Sequence, residues 1–296
     1  MFIKILPKPT LLLQFQRVGA KLKKNWKLSI GIFVISLFTL TALLTPVFVD
    51  YSEKVISFHP SEKYQNPNKK YWFGTDGYGR DIFWRVVWGT KLALYVGVFS
   101  VILGLLIGVP LGMFCGFWGD WRDGILMRIN DAFLSFPSLM LCLLVVATLG
   151  SSINNAVIAI GITFFPKIAR VMRSCTISVK NEQFVIAAKS RGESDFYIIF
   201  KEILPNVLGP MIVEGGVRTS YAIVIGASLS YLGLGAQPPQ PEWGLMIFEA
   251  RQQVFLAPWT LIFPSIALVI LILGFNIMGD GLRDVLDPKE RSSKFF

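Results

Sequence analysis

Six apolar stretches, each near the ~20 residues that carry a helix across ~30 Å of hydrocarbon, dominate this sequence. They fall near residues 28–49, 92–118, 124–149, 156–175, 206–232 and 259–282. A backbone in lipid must satisfy its own hydrogen bonds, so runs of this length have to be helical. The expected fold class is all-α, a polytopic membrane protein with six transmembrane helices. Proline and glycine inside the runs (Pro110, Pro137, Pro166) would argue for breaks in a soluble helix, but in a membrane bundle they permit kinks and close packing. Gly104, Gly108 and Gly112 recur every fourth residue on one face of the second run, which predicts a helix-packing surface in preference to a gate.

Composition narrows the function classes. At 53% hydrophobic and mean hydropathy +0.56, a chain of 296 residues is too apolar for an ordinary soluble domain and too long for a single anchor. Its net charge of +10 would suit nucleic acid, but the Lys and Arg residues flank apolar runs instead of sharing one surface, so no nucleic-acid partner is expected. Cys115, Cys142 and Cys175 are far apart and show no metal or redox spacing. The single histidine, His59, reads as a solvated loop residue. No phosphate loop and no catalytic constellation is present, so no enzyme activity and no cofactor are expected, and any ATP must be bound by another chain. The first run is too long for a secretion signal and lacks a cleavage site, so it reads as an uncleaved anchor.

Positive charge sets the expected orientation. Residues 1–27 form a basic tail with seven Lys and Arg and no acid, the loop after the fourth run carries Lys180, Lys189, Arg191 and Lys201 with Arg170 and Arg173 at its edge, and the tail 283–296 adds Arg283, Lys289, Arg291 and Lys294. An even number of spans puts these three regions on one side, which the positive-inside rule makes the cytoplasm. Residues 50–91 and 233–258 then face outward, with residues 92–282 forming a five-helix core that includes the cytoplasmic loop 176–205. The outer loop motif FGTDGYGRD holds Gly74, Asp76, Gly79, Arg80 and Asp81. It predicts a turn in which Asp76 and Asp81 can cap helix starts. Glu214 and Arg218, four apart in the fifth run, predict an ion pair that faces the bundle, either joining helices or lining a path. The stretch GLGAQPPQPEWGLM predicts a rigid re-entrant connector with an interfacial Trp243, and GDGLRDVLDPKER a helix end emerging into the cytosol.

The cytoplasmic loop contains EQFVIAAKSRGESDFYIIFKEILP, in which Ala187-Ala188, Gly192 and Leu204-Pro205 predict two short helices with a turn at the glycine. This segment resembles the coupling loop of permease subunits in ATP-binding-cassette importers. The family's first Glu is replaced here by Ile186, and Ile203 stands one place later than the usual apolar residue. With FGTDGYGRD, ILPN, LSYLGLGAQPPQPEWG and GDGLRDVLDP in the same order, nearly the whole chain is similar to the C-type permease subunit of the dipeptide/oligopeptide/nickel family. The resemblance implies a type I importer permease fold in a bacterial inner membrane. It also implies ATPase coupling through Glu182, Ile186, Ala187, Ala188, Gly192, Ser194, Asp195, Leu204 and Pro205. The implied partners are a homologous second permease subunit in a heterodimer, two cytoplasmic ATP-binding subunits, and a periplasmic or lipid-anchored solute-binding protein. The implied cargo is a peptide, a nickel chelate or glutathione. The rival reading, an autonomous secondary transporter, would call for an intramembrane coupling-ion system and inverted repeats, and neither is visible.

Overall fold

The computed structural model describes residues 25–286; the tail charges Lys4 to Lys24 and Lys289 to Lys294 lie outside the described residues. In order, these residues form α1 (Trp26–Phe48), α2 (Ile82–Trp118), α3 (Trp121–Leu134), α4 (Ser138–Leu149) and α5 (Ile153–Val179). They continue with α6 (Gln183–Ser190), α7 (Asp195–Tyr231), α8 (Trp243–Ala250) and α9 (Trp259–Leu286). Among the described residues five helices are long and apolar enough to span a membrane, and the bent pair α3–α4 supplies a sixth crossing if counted as one.

Glycine sets the heart of the bundle. Gly104, Gly108, Gly112 and Gly116 lie every four residues along α2, and α5 packs against all of them in parallel. A Cβ at Gly108 would stand 2.7 Å from the Phe165 carbonyl oxygen, one at Gly112 2.3 Å from that of Ala169, and one at Gly116 2.7 Å from that of Arg173. Each step of four residues on α2 therefore meets a step of four on α5, backbone against backbone. Close approach of this kind maximises dispersion contacts where lipid offers no hydrophobic drive. The glycine face is a packing face, as its spacing predicts.

α1 lies at the edge of the bundle. Asn25 caps it, its Oδ1 accepting from the Lys27 and Leu28 amides, and Gly31 brings its backbone against Met278 of α9. Most of its apolar side chains, Phe33 and Val47 among them, point away from the protein, as a lipid-facing helix requires.

Four expectations need correction. The second span begins at Ile82, not residue 92: Asp81 caps it by accepting from the Phe83 amide, and the amphipathic run that follows continues unbroken into the apolar one. The third apolar run is two helices meeting at 88°, because Pro137 has no N–H to continue the ladder. Trp243 is not interfacial. It is fully buried, with Nε1 donating to the Val86 carbonyl at 3.0 Å, because α8 folds back onto α2. Finally, α9 does not stop near residue 282; it runs on to Leu286, with Gly279 and Gly281 seating it against Val217 of α7 and Leu28 of α1.

Candidate functional site

The polar segment between α5 and α7 folds as a helical hairpin. α6 follows Glu182, whose exposed side chain makes no cap bond, and ends just before Gly192 takes a left-handed φ of +77°. That conformation is routine only for glycine. Ser194 then caps α7, its Oγ accepting from the Tyr197 amide at 3.3 Å. The hairpin's inner face is Val185, Ala188, Ile198, Ile199 and Ile203, all at 0–1% exposure. Ala188 therefore packs inward and offers no docking surface, unlike Ala187, Ile186 and Gly192, which are exposed. The outer edge carries apolar bulk: Ile186, Phe196 and Tyr197 all lie open.

One expectation about the hairpin fails. Leu204-Pro205 does not end the second helix. A π-helical turn over Ile198–Ile203 precedes it, and the Leu204 amide reaches back to the Ile199 carbonyl, so α7 passes through Pro205 into the membrane without a break. The hairpin's second arm and the fifth span are one rod. Several contacts lock this rod to its neighbours. Trp118 Nε1 at the end of α2 donates to Asp195 Oδ2 at 3.2 Å, and Phe114 meets Phe196 and Phe200 edge-on at 5.6 and 6.0 Å. Beside the rod, Lys180 at the end of α5 donates from Nζ to the Gly116 carbonyl at 3.0 Å, tying α5 to α2. Force applied at the exposed edge is thus delivered to α2, α5 and α7 together. Sequence reasoning missed Phe114 and Trp118, since aromatics near a span end are ordinary interfacial residues until their partners are known.

Arg218 of α7 donates from Nε to Glu214 Oε1 at 2.6 Å, one helical turn away. Both side chains are largely buried, and the guanidinium lies 5.9 Å from the Phe164 ring of α5, so the pair faces the bundle as expected. A lone charge at mid-helix costs roughly 2.5–3.5 kcal/mol on insertion scales. Glu214→Ala, which strands Arg218, should reduce folded protein or uptake more than the double change Glu214→Gln with Arg218→Met. Thermal unfolding of the detergent-solubilised variants checks the order. A double variant as damaged as the single one would make contact with the transported solute the better role for these residues.

At the opposite end, FGTDGYGRD forms a tight turn. Gly74 and Gly79 have φ of +74° and +73°, and a Cβ on Gly79 would lie 2.0 Å from the His59 carbonyl oxygen. Asp76 does not cap a helix. Its Oδ1 accepts from the Tyr78 and Arg80 amides at 2.8 and 3.0 Å, while Oδ2 takes Arg80 Nε at 2.6 Å. Arg80 also reaches Glu249 of α8 at 2.8 Å, tying the turn to the connector between α7 and α9. Asp81's carboxyl is pushed up by burial and drawn back by the Phe83 and Trp84 amides. Burial likewise raises Glu242, the α8 cap, against the pull of the Leu245 and Gly244 amides. Arg85 and Glu249 were not singled out by the sequence, because their proximity to Asp76 and Arg80 depends on the fold of the connector.

Comparison with known proteins accords with this layout. The family "binding-protein-dependent transport system inner membrane component" matches residues 108–292. The chain is 45% identical over 272 residues to the dipeptide transport system permease protein DppC of Alkalihalophilus pseudofirmus, covering 92% of this chain and 89% of that one. It is 44% identical over 228 residues to the glutathione transport system permease protein GsiD of Pectobacterium atrosepticum, covering 77% and 76%. In fold it is similar to a chain of the MetNI methionine ABC transporter in an inward-facing conformation, with TM-score 0.57 at 19% identity, over 69% of this chain and 97% of that one. The chain belongs to the family of inner-membrane components of binding-protein-dependent transport systems.

Proposed function

We propose that this chain forms one half of the translocation path of an ATP-driven importer for short peptides, with both termini and the α6–α7 hairpin in the cytoplasm. The observation that carries the reading is the hairpin itself: an exposed apolar edge fastened rigidly to three bundle helices. Such an edge exposed to water marks a protein partner. A cytoplasmic ATPase subunit bound there would move α2, α5 and α7 as its own dimer closes, opening the path outward. Two ATPases and a homologous second permease complete the transporter, and a soluble or lipid-anchored binding protein delivers solute to the connector end. Short peptides are the favoured cargo because relatives named for dipeptide and glutathione transport both match over three quarters of this chain or more.

Purification of the tagged chain from its native membrane tests the partnership, which requires a second permease and ATPase subunits in the same particle. Orientation has its own test. In a cysteine-free background, a cysteine at the exposed Ser61 should react with an impermeant thiol reagent on intact cells, and one at Lys189 only after permeabilisation. Labelling of Lys189 from outside would invert the assignment.

A further inference from the structure

A cavity of about 420 Å³ opens between the GTDGYGR turn and α8, within the size range of small-molecule sites. Its floor holds Arg85, which is 1% exposed. Arg85 Nη1 donates to the Val55 and Pro239 carbonyls at 3.3 Å each, but Nε and Nη2 have no hydrogen-bond partner among the described residues. The nearest carboxylates, Asp76 and Glu249, stand 3.7 and 3.6 Å away and are already committed to Arg80. Leaving the N–H groups of a buried guanidinium unfilled is costly, so the geometry calls for a further acceptor. The charge balance points the same way. Arg80, Arg85 and Arg251 line the cavity against only Asp76 and Glu249, three positive groups to two negative. Arg251 is exposed at the rim, stacked on Phe248 with its guanidinium carbon 3.7 Å from the ring centre, and it forms no ion pair among the described residues. Tyr64 and Tyr78 add phenolic walls.

We propose that this cavity is a solute site on the permease itself, taking one free carboxylate of a molecule of dipeptide size. Arg251 meets the carboxylate at the rim, and Arg85 supplies the donors beneath it. The proposal deepens the importer reading and rests on it, since it places a receiving site where the binding protein would release its cargo.

The test uses the assembled transporter in lipid nanodiscs without binding protein, titrated calorimetrically with dialanine and with dialanine amide. Dialanine should bind saturably, and the amide, which lacks the carboxylate, about tenfold or more weakly. Arg251→Gln should cost dialanine a similar factor. Because Arg85 is buried and its replacement threatens folding, the rim residue carries the test. Equal binding of the two ligands, or unchanged dialanine binding by Arg251→Gln, overturns the proposal. So does a site that ignores dialanine while Arg251→Gln weakens docking of the binding protein, which would assign the pocket to a protein-borne carboxylate. A chain that forms no particle with ATPase subunits refutes the importer reading instead, so the two failures are distinct.

Discussion

Gly112→Leu should leave little or no folded chain in the membrane. The first atom of the new side chain would lie 2.3 Å from the Ala169 carbonyl oxygen and 2.8 Å from the Met172 Cβ, so α2 and α5 must separate. Overpacking a well-packed core, where side chains and backbone shift to make room, costs about 1–3 kcal/mol. Here the obstacle is helix backbone, which cannot rotate aside, and the same face holds three more glycines in register. The expected loss is therefore at the top of that range or beyond it. Gly124→Ala supplies the contrast. Gly124 lies exposed on α3 with nothing within 4 Å of its Cβ position, and alanine is the better helix former by about 1 kcal/mol. Its yield of monodisperse protein in mild detergent should equal or exceed that of the parent. Normal yield from Gly112→Leu would mean that the two helices do not meet along this face.

Gly192→Val should uncouple ATP hydrolysis from uptake in a chain that still inserts. Apart from its chain neighbours, no atom of the described residues lies within 4 Å of the Cβ position, so the whole effect comes from a β-branched residue at φ +77°. Strain of this kind costs about 1–3 kcal/mol, which the turn can shed by tilting α6 away from α7. The exposed edge formed by Ile186, Phe196 and Tyr197 would then split. Uptake should fall about tenfold or more while ATPase activity persists, and Gly192→Asn, whose side chain tolerates the left-handed region, should recover most of it. Coupled uptake at the parent rate by Gly192→Val would remove the hairpin from the coupling route.

Much of the fold is legible in the sequence because lipid imposes a single rule on the backbone. Apolar length alone located five long helices to within a few residues at most ends. The glycine period announced a packing face on the second span, though not that α5 fills it, and the four-residue spacing of Glu214 and Arg218 announced their pair. What stayed hidden depends on the third dimension. Pro137 and Pro205 look alike as helix breakers. One ends a helix at an 88° bend, while the other is absorbed by a π-helical turn that starts seven residues earlier. Trp243 reads as interfacial until the connector is seen to fold inward and bring it to the Val86 carbonyl. Ala187 and Ala188 are chemically identical neighbours, and only the hairpin's packing makes one surface and the other core. Arg85 is the clearest case. Spacing alone offers it Asp81 four residues earlier, yet its carboxylate neighbours are Asp76 in the preceding turn and Glu249 on a helix more than 150 residues after it.

As an importer subunit, this chain should move solute only within an ATP-driven assembly. Peptide uptake into proteoliposomes measures it most directly, comparing the chain alone with the purified particle containing the second permease and both ATPases. Uptake by the particle should require ATP and binding protein, and the chain alone should show none under proton or sodium gradients. Uptake by the chain alone, driven by either gradient and indifferent to ATP, would contradict it.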